Sequence, residues 1–226
     1  MLKRIARSAG IAGSLAALAC AYVAPPPAVD QEFLSPPPGP LRRLAVMPFQ
    51  PLPGLASPII DREAAPSEVT ALVARFVSEA LQEAGFDVVP PDDLVHAFET
   101  ESGAAPRTDA HAAAALAAGH FGADAVLLGV VSRYRERSGG AIGSTSPASV
   151  FFRVTLYSAP DARPLWSARF HETQQPLTEN VLRTPFYPGG GTRWLTAAEL
   201  ARWGAGETAR ALTELPYASR RQAGAQ

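Results

Sequence analysis

The segment from Ser67 to Ala84 constrains the fold most strongly, because its apolar residues recur at helical spacing. The positions i, i+3, i+4, i+7, i+8, i+11 and i+12 are occupied by Val69, Leu72, Val73, Phe76, Val77, Ala80 and Leu81. Gly85 follows at a position where helices commonly end. An apolar stripe of this kind must be covered, so the pattern predicts an amphipathic helix that packs against a sheet.

Several short runs are typical of the strands of such a sheet. Two of them, Leu41 to Phe49 and Ala125 to Val131, are nearly continuously apolar, as in strands that are buried on both faces. Two others, Ser149 to Tyr157 and Leu165 to His171, alternate in polarity across a proline-containing turn, which predicts a hairpin. A short strand is predicted at Phe86 to Val89.

Capping residues predict three further helices. Asp92 or Asp93 begins a helix that runs through Phe98, Thr108 caps a helix from Asp109 to Ala118 that Gly119 closes, and Thr196 with Glu199 forms a capping box for a helix from Thr196 to Leu215. The predicted fold is therefore one α/β domain over residues 41–215. It is a single mixed-sheet sandwich of about five strands with helices packed on it, followed by a disordered tail at 216–226.

The amino terminus is typical of a signal peptide. Lys3, Arg4 and Arg7 precede the uncharged residues 8–19, a stretch shorter than the roughly 20 apolar residues that span a bilayer. We therefore predict a signal peptide at residues 1–19.

Cys20 is the single cysteine, which excludes a disulfide framework and a cysteine-based zinc site. Ala17, Leu18 and Ala19 precede it, and this arrangement resembles the bacterial lipobox. The resemblance implies that Cys20 becomes the acylated first residue of the mature chain, carrying palmitate-type chains as a membrane anchor. Ala21 follows, which by the sorting pattern of such proteins implies the outer membrane, facing the periplasm. A plain signal peptide that is cleaved near Ala24 is the alternative.

The residues after Cys20 form a proline-rich linker, predicted at 20–40. From Ala24 to Pro40 two proline triplets favour polyproline II, which at 3.1 Å per residue reaches about 50 Å. A free spacer is one interpretation. The other is an arm that lies along the domain through Phe33 and Leu34.

The composition is that of an ordinary globular protein, with 47% apolar and 18% charged residues. Without residues 1–19 the chain keeps 17 basic and 21 acidic residues, a net charge of −4. This charge, together with the predicted compartment, argues against nucleic acid as a partner.

Motifs for catalysis or metal binding do not emerge from the sequence. The four histidines, His96, His111, His120 and His171, lack metal-ligand spacing, and the glycines at 189–191 are not followed by Gly-Lys-Ser/Thr. No Gly-x-Ser-x-Gly is present. We therefore expect a protein that is not an enzyme and that has no metal or cofactor.

Three exposed loops are the predicted contact surfaces, at Gln50 to Pro66, Arg133 to Pro147 and Gln174 to Arg193. In the second, Arg133, Arg135 and Arg137 lie on one side of an extended strand end. They either bind an acidic partner or a glycan, or form a solvated strand edge. Near the third are Phe186, Tyr187 and Trp194, which form either a binding surface or, for Phe186 and Tyr187, a strap of the core.

Three segments together resemble a group of bacterial periplasmic lipoproteins. They are LAVMPF with Pro48 and Phe49, GHFGADAVLLGVV with Gly122 to Asp124, and LYSAPDARPLWSARF with Trp166. The group includes the curli secretion lipoprotein, the lipoprotein activators of penicillin-binding proteins and the amino-terminal domain of the Tol-Pal translocation protein.

The resemblance implies a non-catalytic envelope assembly or accessory factor whose partners are envelope proteins, such as the peptidoglycan-synthesis or secretion machinery. A subunit of a curli-type secretion channel, with Gly139 to Ala148 as its best candidate insert, is one alternative. A glycan- or small-molecule-binding module is another.

Overall fold

The computed structural model describes residues 28–52, 59–60, 65–102, 109–141, 143–175, 187–188 and 192–218. The strands are β1 Val29–Phe33, β2 Arg43–Val46, β3 Gln50–Pro51, β4 Ile59–Ile60, β5 Asp87–Val89, β6 Ala125–Arg135, β7 Ser138–Gly139, β8 Ser144–Ser146, β9 Ser149–Ser158 and β10 Pro164–Thr173. The helices are α1 Pro66–Glu83, α2 Pro91–Ser102, α3 Ala110–Phe121 and α4 Ala197–Thr213. Cys20 and Phe186 lie outside the described residues.

Eight of the described strands form one mixed sheet in the order β1-β10-β9-β6-β2-β5, with β3 and β4 beside β6. Strand β2 runs parallel to β5 and β6, whereas β6, β9, β10 and β1 are antiparallel to one another in turn. The predicted α/β class is confirmed. The sheet is larger than the predicted five strands, because β1, β3 and β4 form from segments that were predicted to be linker or loop.

Strand β1 lies within the proline-rich segment and pairs with β10 over its whole length. Beyond it, the backbone N–H groups of Leu34 and Ser35 donate to the Leu165 carbonyl at 2.9 and 3.2 Å. Phe33 stacks on Tyr217 with 6.4 Å between ring centroids. Residues 28–40 therefore form an arm along the domain, as the second interpretation of the linker predicted, and not a free spacer. The sheet consequently begins before the predicted domain boundary at residue 41.

Helices α1 and α4 cover one face of the sheet. The apolar stripe of α1 and the inward residues of β9 and β10 form a single core, with Phe152, Phe170 and Trp166 fully buried. This confirms the alternation that the sequence predicted for the hairpin strands. The indole Nε1 of Trp166 donates to the Gln31 side chain at 3.0 Å, so the edge strand also satisfies the polar atom of this buried ring.

Helices α2 and α3 cover only part of the opposite face. They pack over β2, β5 and the first half of β6 around Ala45, Met47 and Val126. Small side chains such as Ala113 and Ala117 let α3 lie close to the sheet. No described helix is long and apolar enough to cross a membrane.

The ends of α3 differ from the sequence prediction. Asp109, rather than Thr108, is the N-cap, and its carboxylate accepts from the His111 N–H at 3.1 Å. Thr108 lies outside the described residues. The helix passes Gly119 and ends at Gly122, whose φ of 60° is the left-handed conformation that favours glycine.

Candidate functional site

Two of the three predicted contact loops meet where β6 ends, β9 begins and β10 ends. The Trp194 N–H donates to the Ala141 carbonyl at 2.8 Å, and the Arg137 guanidinium donates to the Trp194 carbonyl at 2.8 Å. We call these two segments the loop end: the first comprises residues 135–141 and 143–148, and the second comprises residues 192–197. Its two segments are held to each other through main-chain atoms, so their relative position does not depend on flexible side chains alone.

Gln174 holds the second segment to the end of β10. Its side-chain amide donates to the Arg193 carbonyl at 2.8 Å and accepts from the Leu195 N–H at 2.6 Å. Its backbone N–H donates to the Ala148 carbonyl at 3.2 Å. Gln174 is buried, and each of these bonds satisfies a polar group in the interior. The residue that begins the predicted third loop is thus a structural bridge.

The start of α4 carries the predicted capping box. The Thr196 hydroxyl accepts from the Glu199 N–H at 3.1 Å, and Glu199 accepts from the Thr196 N–H at 2.9 Å. Arg193 adds two bonds to the Glu199 carboxylate, at 2.8 and 2.6 Å. The hydrogen bonds from Arg193 and then from Thr196 lower the pKa of Glu199 to about 2. A second carboxylate, Glu136, accepts from the Ala197 N–H at 3.0 Å, which satisfies another free N–H of the first turn.

Tyr187 is part of the core rather than an exposed loop residue. Its side chain is 3% exposed, and its hydroxyl donates to the Glu172 carboxylate at 2.6 Å. Its ring packs on Trp203 of α4 with 5.1 Å between centroids. Tyr187 therefore acts as a strap of the core and not as a binding-surface residue. Truncating its side chain would disturb the packing of the core. Trp194 is half-buried, with both of its backbone polar groups bonded within the loop end.

The predicted arginines follow a β-bulge in β6. The register opposite β9 shifts between Val131, which pairs with Phe152, and Arg133, which pairs with Phe151. The extra residue, Ser132, reverses the alternation of the strand. Arg133 and Arg135 consequently lie on the face opposite the α1–α4 core, whereas Tyr134 turns into that core. Burial and then the charge of Glu136 raise the pKa of Tyr134 to about 12.

Arg133 therefore does not lie on a solvated strand edge. Strand β6 is internal at this position. On one side it pairs with β9, and on the other Arg133 pairs with Ile59 and Tyr134 with Ile60 of β4. Arg135 is exposed, and Arg137 is half-buried against the loop end.

Two further arginines, missed in the sequence analysis, lie on the same face as Arg133 and Arg135. Arg153 of β9 stands directly opposite Arg169 of β10, and both are exposed. Beside them, Phe151 stacks on His171 with 4.9 Å between ring centroids. Alternation along β9 places Arg153 away from the core, but only the hairpin register brings it opposite Arg169.

The described residues contain no group of three or more histidine, cysteine, aspartate or glutamate side chains that could hold a metal ion. Gly189 to Gly191, weighed as a phosphate loop, lie outside the described residues. The segment weighed as a channel insert forms part of a small hairpin, in which β7 and β8 have two and three residues.

No family model and no curated protein sequence matches this chain. Solved structures are similar to it at low identity. The PelC dodecamer from Paraburkholderia phytofirmans has 14% identity, covers 85% of this chain and 98% of its own, and superposes with a TM-score of 0.48. The lipoprotein GNA1162 from Neisseria meningitidis has 22% identity, 62% and 90% coverage and a TM-score of 0.40. The LpoB C-terminal domain from Salmonella enterica has 18% identity, 60% and 85% coverage and a TM-score of 0.38. All three superpositions have TM-scores below 0.5 and identities of 22% or less.

Proposed function

We propose that this chain is a lipid-anchored protein of the outer membrane, facing the periplasm, that acts without catalysis as an envelope assembly or accessory factor. It works by contacting another envelope protein, such as a component of the peptidoglycan-synthesis or secretion machinery. Its contact surface includes the loop end.

The construction of the loop end is the observation that carries the proposal. Main-chain bonds join Ala141 to Trp194, and Gln174 ties residues 193–195 to β10. A surface that is ordered before binding loses less conformational entropy on association. Arg135 and Trp194 are of the residue types that are enriched in binding hot spots, and both keep accessible surface here.

The length of the anchor segment supports a position close to the membrane. Residues 28–40 lie on the domain, so seven residues, 21–27, stand between Cys20 and the described domain, which makes eight Cα–Cα steps. Fully extended, they reach at most about 28 Å. The domain would thus be held nearer the bilayer than the spacer interpretation of the linker predicts.

Replacing the proposed lipidation site tests the anchor. Cys20→Ala is expected to abolish incorporation of labelled palmitate and to leave the protein unprocessed or released from membranes. Cys20→Ser is expected to give the same result, because the thiol is the group that is acylated. If Cys20→Ala fractionates with the outer membrane and carries as much acyl label as the wild type, the anchor proposal is wrong.

Site-specific photocrosslinking in intact envelopes tests the contact surface. A photoreactive residue at Ser138, which is exposed in the loop end, is expected to give a defined protein adduct. The matched control is Gln82, which is exposed on α1 at a distance along the chain from both loops. Equal adducts from both positions, or adducts from neither, would contradict a contact role for the loop end.

A further inference from the structure

Among the described elements, no helix covers the second half of the sheet on its α2–α3 side. Helices α2 and α3 reach Leu128 and Tyr157, where the apolar cluster around Ala45, Met47 and Val126 ends. Beyond that point no described helix packs over the middle of β9 and β10 on this side. Arg153, Arg169 and His171 are exposed there. This area is therefore a solvent-facing part of an otherwise well-packed sheet.

The described ion pairs do not include the arginines of this area. Cβ atoms of residues directly opposite each other in antiparallel strands lie about 4.5–5.5 Å apart, and like charges at such positions are destabilising. Arg153 and Arg169 hold these positions. Among the described ion pairs and side-chain hydrogen bonds, none involves the guanidinium of Arg133, Arg153 or Arg169. Asp30 of β1 stands opposite Arg169 on the other side, so Arg169 has one like-charged and one oppositely charged neighbour, whereas the residues opposite Arg153 are Val130 and Arg169.

The charged area continues across three strands. The bulge at Ser132 places Arg133 opposite Phe151, and Phe151 stacks on His171. We call Arg133, Phe151, Arg153, Arg169 and His171 the cationic sheet face. Guanidinium groups with an aromatic stack beside them are typical of protein-binding surfaces.

The borders of the cationic sheet face differ in character. On the β6 side lies half-buried Val130, opposite Arg153. On the β1 side lie exposed Asp30, opposite Arg169, and exposed Glu32, opposite Ser167. Along the row Val130, Arg153, Arg169 and Asp30, the surface thus changes from apolar to cationic to acidic.

We propose that the cationic sheet face docks a protein partner through an acidic segment of that partner. The order of the borders favours a protein over a uniformly anionic bilayer or polysaccharide, because Asp30 and Glu32 would repel a continuous anionic surface. A folded protein can present carboxylates to the arginines and basic groups to the acidic border. This inference rests on the proposed function and specifies which surface and which chemistry perform it.

Photocrosslinking with charge reversal tests the proposal on the full-length, membrane-bound protein. The photoreactive residue replaces Thr155, which is half-buried on the uncovered side, two residues from Arg153. Irradiation is expected to give one defined protein adduct, in which mass spectrometry identifies an acid-rich peptide of another chain. The double variant Arg153→Glu/Arg169→Glu is expected to lower the yield of this adduct at least tenfold.

Matched variants separate charge at this face from net charge and from folding. Arg42→Glu/Arg75→Glu makes the same change in net charge at exposed positions elsewhere and is expected to keep the adduct. If the charge reversal prevents folding, as judged by circular dichroism, Arg153→Gln/Arg169→Gln replaces it and is expected to lower the yield several-fold.

Other outcomes overturn the proposal. If the yield of the adduct is unchanged in the arginine variants, or if the adduct joins Thr155 to a peptide without acidic residues, the partner does not dock through an acidic segment. A cross-link to this chain itself, for example to the acidic residues Asp92, Asp93 or Glu99 of α2, identifies a second copy instead. Binding of the purified protein to phosphatidylglycerol vesicles that depends on Arg153 and Arg169 identifies the membrane.

The loop-end position separates this inference from the proposed function. An adduct from Ser138 with none from Thr155 overturns the cationic sheet face alone. An absence of protein adducts from both positions overturns both proposals.

Discussion

The two faces of the sheet differ in how much of their surface the fold itself requires. On the α1–α4 face, β9 and β10 present large apolar side chains that are fully buried, among them Phe152, Trp166 and Phe170. On the opposite face the same two strands present Arg153, Arg169 and His171 to solvent. The comparison teaches that stability and interaction are separated across one sheet: packing determines the residues of the first face and leaves those of the second free to serve binding.

Removing a large side chain from the covered face should have the largest effect. Phe76 of α1 is 5% exposed and lies in the core between the sheet and helices α1 and α4. The Arg202 guanidinium lies 4.1 Å from its ring centroid. Phe76→Ala is expected to lower the free energy of unfolding by about 3–5 kcal/mol, from lost burial and a cavity. Urea unfolding measures it, with exposed Arg75→Ala as the control. A loss below about 1 kcal/mol, the range of surface substitutions, would show that α1 is peripheral.

A pair of glycines in α4 tests how tightly the covered face is packed. A Cβ on Gly204 would lie 2.5 Å from a ring carbon of Phe170, whereas one on Gly206 would meet no atom within 4 Å. Gly204→Ala is expected to destabilise the domain by about 1–3 kcal/mol through overpacking.

Gly206→Ala is the matched control and is expected to stabilise the domain by roughly 0.5–1 kcal/mol, because alanine is the better helix former. Thermal unfolding of both variants compares them directly. Shifts of the same sign would show that α4 does not pack on β10 as described.

The dependence of the unfolding free energy on acidic pH tests the loop end. The pKa of Glu199 is about 2 in the folded protein, against an ordinary value of 4.5. Its ionised form therefore stabilises the fold above pH 4.5, and that contribution is lost as the pH falls from 4.5 toward 2. Because the side chain is 37% exposed, the contribution is under about 1 kcal/mol after solvent screening.

Glu199→Gln is expected to flatten this part of the pH dependence of the unfolding free energy. Glu214, which is exposed near the other end of α4, provides the control substitution Glu214→Gln. A pH dependence that stays unchanged in Glu199→Gln would show that the Arg193–Glu199 pair does not support the folded state.

Changes on the uncovered face should have the smallest effect on stability. Arg169→Thr removes one of two like charges that stand opposite each other. It is expected to change the free energy of unfolding by no more than about 0.5 kcal/mol, because the loss of repulsion from Arg153 is offset by the loss of attraction to Asp30, which stands opposite Arg169 in β1. Arg202→Thr, which removes contacts to Glu79 and Phe76, serves as the comparison and is expected to destabilise. A clear loss of stability in Arg169→Thr would mean that the fold requires the cationic sheet face.

The elements that the sequence predicted well depend on interactions between near neighbours. The stripe from Val69 to Leu81, the alternation in β9 and β10, and the capping box of Thr196 and Glu199 all appear in the structure. Periodicity and capping act over a few residues, so a short segment contains the information that determines them.

The elements that the sequence left open depend on a partner that is distant along the chain. Strand β1 exists because β10 offers it an edge, although its own residues stand in a proline-rich segment. Tyr187 is buried because its hydroxyl donates a hydrogen bond to Glu172 and its ring packs on Trp203. Local sequence in these segments is compatible with several conformations, and the long-range contacts select one.

The face on which the arginines lie shows this division most clearly. From the sequence alone, Arg133 and Arg135 share one side of an extended strand, because side chains alternate. Unbroken alternation from the buried Val131 would have turned them into the core, but the bulge at Ser132 turns them to solvent, and the register of the hairpin brings Arg153 opposite Arg169. The sequence determined which residues can share a face, since that depends on backbone period. Only the tertiary structure decided which face it is, since a bulge and a register are properties of two strands together.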